Sequence, residues 1–187
     1  MAFSIPELLV GLIAGLALGE IIRSVRARLT TRRQARALRA VLYPEVERNL
    51  EQLNEFWEEV RPRKNEDEIH RVDKIAYARE FAQAELPPFS RTVYEARLPL
   101  LPAYLGPAQF ARLARLYARL ARIEQAHAEL RAARAQDLAA RQTIPAGPAL
   151  FLPVSVTYDL FLRAAARLWD EVHHTIDQLL DEGNPLS

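Results

Sequence analysis

The sequence predicts an all-α protein: an N-terminal single transmembrane helix followed by a small antiparallel helical bundle of three long helices and two short ones. Three observations carry that reading. Apolar residues recur every three or four positions along most of the chain, and no convincing run of strand alternation appears. A stretch of 18 residues near the N-terminus is apolar on almost every side. The charge is formally only +1, yet it is segregated into blocks of alternating sign, which suits antiparallel helices that attract one another.

The apolar stretch, residues 5–22, reads IPELLVGLIAGLALGEII, with Glu7 and Glu20 as its only charges. As a helix it rises about 27 Å, close to the thickness of a bilayer core of about 30 Å. Both carboxylates lie near its ends, where they can reach the interface. The flank before it has no Lys or Arg, and no small-residue cleavage site follows it, so it reads as an uncleaved anchor. By the positive-inside rule the N-terminus lies outside and the rest of the chain is cytoplasmic, at the cell inner membrane. Gly11, Gly15 and Gly19 are spaced by four, two successive G-x-x-x-G steps on one helical face. Close backbone approach over small residues is how helices pack in lipid, so these glycines are the candidate contact with another anchor.

Residues 23–40 form a basic neck. Between positions 23 and 39 there are seven Arg and no acid. Arg23, Arg26, Arg28, Arg32 and Arg33 are the candidate contacts with anionic lipid, an attraction of about 1 kcal/mol per basic residue near the surface. The same Arg comb would neutralise phosphates, so an Arg-rich nucleic-acid-binding module is an alternative. The absence of any aromatic between Phe3 and Tyr43 to stack bases favours lipid. Arg outnumbers Lys 23 to 2, a bias read as that of a high-GC bacterial genome and not of function.

The bundle is expected over residues 41–183, leaving 184–187 as a tail. Leu38, Leu42, Val46, Asn49, Leu53, Phe56 and Val60 form a near-heptad stripe on the first long helix, with Glu47, Glu51, Glu55, Glu58 and Glu59 opposite. Arg61-Pro62 ends it. A second helix is expected over about residues 66–84, capped by Asn65 and with Ile69, Val72, Ala76 and Phe81 inward. A short third helix is expected over about residues 91–98, with Thr92 and Glu95 as a capping box. Pro107 starts the next long helix, which runs to about residue 141 on a stripe of Leu113, Leu116, Leu120, Ile123 and Leu130. A Pro-rich linker follows. Ser155 then caps a last helix, which ends before Gly183 and Pro185. Its inward residues are Phe161, Ala165, Leu168, Val172, Ile176 and Leu179.

Few residues point to chemistry. The chain has no Cys, which excludes disulfides, thiolate zinc sites and thiol nucleophiles. No Gly-rich phosphate loop and no metalloprotease or hydrolase motif is present. The acid-x-x-His pairs Asp67/His70, Glu124/His127 and Glu171/His174 have the spacing used by carboxylate di-metal centres in helical bundles, but of these helical geometry turns only His127 inward, with Glu124 at the edge of the stripe. Glu124 and His127 are the candidate metal ligands of an alternative reading, a metal-binding bundle enzyme or sensor. Asn49 interrupts an apolar stripe and must find a partner, either a loop carbonyl or a second copy of the helix. No cofactor is expected. The sequence thus points to a non-enzymatic, membrane-tethered scaffold or regulatory module. Its expected partners are the lipid bilayer and either its own copy or another membrane protein.

Overall fold

The computed structural model describes residues 5–62, 71–142 and 153–186, with side chains over 18–62, 73–139 and 160–186. Among the described residues every regular element is a helix. The helices are α1 (Ile5–Val60), α2 (Arg71–Gln83), α3 (Thr92–Arg97), α4 (Leu101–Tyr104), α5 (Pro107–Gln142) and α6 (Pro153–Glu182). The expected anchor, neck and first bundle helix are one continuous helix of 56 residues, with Pro44 inside it.

Every member of the α1 stripe from Leu38 to Val60 is buried, as are the predicted stripes of α5 and α6. The long helices do not all run antiparallel as expected: two share a direction and the third opposes them. Arg39 donates to Gln109 and Tyr117 to Glu45, so α5 runs with α1. Asn184 donates to Glu47 and Trp57 to Asp177, so α6 runs back against both. The charge blocks meet across α5 and α6. Arg122 grips Glu171 through two bonds of 2.6 and 2.8 Å, Arg119 pairs with Glu182 at 2.9 Å and Arg167 with Glu129 at 2.7 Å. Lys74 ties α2 to Asp170 of α6 at 2.8 Å. An aromatic group of Phe56, Trp57, Tyr77, Phe81 and Trp169 fills the space where α1, α2 and α6 meet.

Several local expectations change. In α2 the inward residues are Ala78, Phe81 and Ala82, whereas Ala76 is exposed. Ile69, the side chain of Val72 and the Asn65 cap lie outside the described residues, as does the Pro-rich linker up to residue 152. Helix α6 starts at Pro153, so Ser155 falls inside it and does not cap it. The turn α4 is an addition to the expected elements. Prolines 99 and 102 suggest only breaks, but Pro102 sits in its first turn, and Leu101 and Leu105 are buried. Gly183, at φ +62°, closes α6 as expected. The last residues then fold back, with Leu186 buried and its amide donating to Asn184.

The described part of α1 before Leu38 is different. Leu18, Ile21, Ile22, Val25 and Leu29 are all exposed, and the bundle grips the helix only from Leu38 onward. Among the described residues no helix is long and apolar enough to cross a membrane. The side chains of residues 5–17, most of the expected span, are not among them.

Candidate functional site

The most concentrated polar chemistry in the bundle lies where α1 meets the 84–94 connection. Glu45 follows Pro44 on α1 and is buried. Its Oε2 accepts from Ser90 Oγ at 3.0 Å and the Val93 amide at 2.7 Å. Its Oε1 accepts from the Tyr94 amide at 3.0 Å and Tyr117 Oη at 2.6 Å. Val93 and Tyr94 lie in the first turn of α3, where amides have no partner within the helix. The expected capping box does not form, because Arg91 is the N-cap residue and its side chain makes no cap hydrogen bond. A carboxylate from α1 does that work instead.

One turn further along α1, Asn49 is fully buried. Its Nδ2 donates to Ser90 O and its Oδ1 accepts from the Ser90 amide, both at 2.8 Å. Asn49 therefore meets a loop backbone in its own chain. The ring of Tyr94 stacks on that of Tyr117, with centroids 4.0 Å apart. Burial pushes the Tyr117 hydroxyl well above the ordinary tyrosine range, helped by its bond to Glu45, so it is a fixed neutral donor.

The candidate metal pair does not converge. Glu124 pairs with Arg91 and accepts from the Phe89 amide at 3.4 Å. His127 is buried, with Nε2 3.0 Å from Ala84 O, so that nitrogen carries the proton. Its ring meets Phe56 and Phe81 edge-on. Burial lowers its pKa below the usual value, and Arg131 adds to that, while the bonds to Ala84 and Phe81 oppose it. Among the described residues no group of three or more acids and histidines could hold a metal ion.

Two clefts open at the neck end of the bundle. One, of about 240 Å³, lies between Gln34, Ala37, Leu38 and Val41 of α1 and Arg97, Leu100 and Tyr104 of the α3–α4 corner. The other, of about 470 Å³, is lined by Arg112 and Arg115 and by Glu182 through Pro185 at the end of α6. Cations beside a helix C-terminus are favourable, so the two Arg suit that position without a ligand.

The neck residues Arg23, Arg26, Arg28, Arg32 and Arg33 are all exposed, and Arg23 pairs with Glu20 at 2.9 Å. A side chain placed on Gly19 would meet nothing within 4 Å. The surroundings of Gly11 and Gly15 lie outside the described side chains. Sequence reasoning misses Glu45. The available signal is its place four residues before Asn49, on the edge of the same stripe.

Comparison with known proteins finds no matching family model, no matching curated sequence and no matching solved structure.

Proposed function

We propose that the chain is a non-enzymatic, membrane-tethered helical module. Residues 5–22 anchor it in the inner membrane, the Arg neck faces anionic lipid on the cytoplasmic side, and the bundle serves as scaffold or regulator. One observation carries the reading. Helix α1 continues without a break from the apolar stretch through the Arg block, yet the bundle covers none of the large apolar side chains described before Leu38. A helix end with exposed Leu18, Ile21 and Ile22 needs another apolar surrounding, and a bilayer supplies it. The Arg that follow then sit at the headgroups.

The buried polar network supports a non-enzymatic role for the bundle. Both carboxylate oxygens of Glu45 and both amide atoms of Asn49 are bonded internally, and neither residue lines either neck-end cleft. The network pins Ser90, Val93 and Tyr94 against α1, just before the corner whose Arg97, Leu100 and Tyr104 line the apolar cleft.

Membrane fractionation with alkaline extraction, on the full chain and on a fragment beginning at Thr31, tests the proposal. The full chain should stay with the membrane and the fragment should be soluble. A full chain that washes off or never sediments overturns it. Salt-sensitive retention of the fragment on nucleic acid would favour the Arg-rich binding alternative.

A further inference from the structure

Leu18, Ile22, Val25 and Leu29 are 61, 55, 51 and 51 % exposed on the projecting part of α1. Their spacings are 4, 3 and 4. Carried backward, the same alternation lands on Gly15 and Gly11. Carried forward, it lands on Arg32 and Arg36. This is a heptad seam, with Gly15, Ile22 and Leu29 at a positions and Gly11, Leu18 and Val25 at d positions. By the 100° step of an α-helix, the bundle-facing residues Leu38, Leu42, Val46, Asn49 and Leu53 lie roughly 130° around from it. The bundle thus hangs on the far side of α1 and leaves the seam side open.

We propose that a second copy of this chain covers that face. The two helices run parallel and in register, with Leu18, Ile22, Val25 and Leu29 each against its own counterpart. The inference rests on the tethered reading only for the parallel orientation, which a shared membrane imposes. The a/d alternation is what a helix packed along a shared axis needs, and lipid has no such requirement. A parallel pair matches it with the same residues twice. Ile22 at a with Leu18 at d is the combination that favours two strands, whereas Leu29 at a with Val25 at d is the reverse. The glycines at the N-terminal seam positions allow close approach where lipid offers no hydrophobic drive.

Charge sets the end of the seam. Arg32 and Arg36 occupy the next core positions, and Arg28 at g of one copy faces Arg33 at e of the other. Further along the same face come Glu47, Glu51 and Glu58, again like against like. The two chains therefore separate after Leu29, which leaves each bundle free. Like charge along the flank also means that salt strengthens this contact, the reverse of what an acidic partner would show.

The absence of Cys makes the test direct. Single-cysteine variants of the full chain are made on the seam (Ile22→Cys, Val25→Cys, Leu29→Cys) and on the opposite side (Ser24→Cys, Ala27→Cys, Thr31→Cys). Each is oxidised in whichever fraction the chain occupies. Seam variants should give disulfide-linked dimers about fivefold or more in excess of the opposite set. The yield at Val25→Cys and Leu29→Cys should rise when salt increases from about 0.05 to about 0.5 M. Equal yields all round, a maximum on the opposite side, or monomers only would overturn the proposal. So would yields that fall with salt. Fractionation keeps the two readings apart. A soluble chain with seam dimers removes the tether and keeps the seam, whereas a membrane-bound chain with flat yields does the opposite.

Discussion

Glu45 is surrounded entirely by donors: two hydroxyls and two amides, divided equally between its oxygens. A carboxylate can accept on both atoms, whereas an amide accepts on one and donates from the other. Glu45→Gln would turn an NH2 toward two of those donors and should cost about 1–3 kcal/mol in urea unfolding. Glu45→Ala leaves all four without this acceptor and should cost more than Glu45→Gln, since each orphaned buried donor costs about 1–3 kcal/mol. If Gln proved neutral, the carboxylate would not be needed as described. Asn49→Leu restores the apolar stripe but orphans the amide and carbonyl of Ser90, so it should destabilise by about 1–3 kcal/mol in spite of its greasiness. His127 adds a pH dependence. Its pKa is lower folded than the roughly 6.5 of the unfolded chain, so the unfolded state binds the extra proton first. Stability should fall as pH drops below about 6.5, and His127→Gln, which can still donate to Ala84, should lose less over the same range. Equal acid sensitivity in the two proteins would remove His127 as the cause. At this scale the sequence is legible for Asn49 and His127, because a polar residue inside an apolar stripe is conspicuous. Glu45 is hidden among the Glu that follow it on the same helix, and its partners come from positions 45 or more residues away.

Whole elements are easier to read than single residues, for a physical reason. Burial of a helix depends on a periodic pattern summed over many turns, so the stripes of α1, α5 and α6 emerge from 3.6-residue spacing alone. The short elements have no such sum. The sequence suggests α3 with a cap of its own, whereas its amides are satisfied from α1. α4 is a single turn around Pro102, held by the burial of Leu101 and Leu105, and its signal is indistinguishable from a chain of proline breaks. The α5–α6 ion pairs follow from the charge blocks, but exposed pairs contribute only about 0.2–1 kcal/mol each, so they select the pairing of the helices more than they stabilise it. Pro44 is a larger local effect. It sits inside α1, lacks the amide that would bond to Ala40 O, and is exposed. Pro44→Ala should therefore stabilise the bundle by about 1–3 kcal/mol, read from the urea midpoint. A loss of stability would instead mean that the proline fixes the backbone that brings Glu45 onto α3.

At the scale of the molecule, α1 serves two surroundings along one uninterrupted axis. From Leu38 onward its apolar face belongs to the bundle. Before that point its described large apolar residues are exposed and its charges are Arg with the single exception of Glu20 among the described side chains. The division is sharp because the contacts that close the lower end of the bundle, Leu38 in the core and Arg39 to Gln109, come from adjacent residues. A helix that leaves a folded unit in this way adds length without adding packing, so its removal should leave the unit's stability unchanged. The fragment beginning at Thr31 keeps every residue of α1 that is buried among the described side chains. Compared with the full chain in the same detergent, it should unfold at the same temperature to within about 2–4 °C, the shift that 1 kcal/mol produces in a domain of this size. A larger fall would show that the first 30 residues pack on the bundle. The exposed seam would then be an unfilled part of the core, and neither a membrane nor a second copy would be needed to cover it.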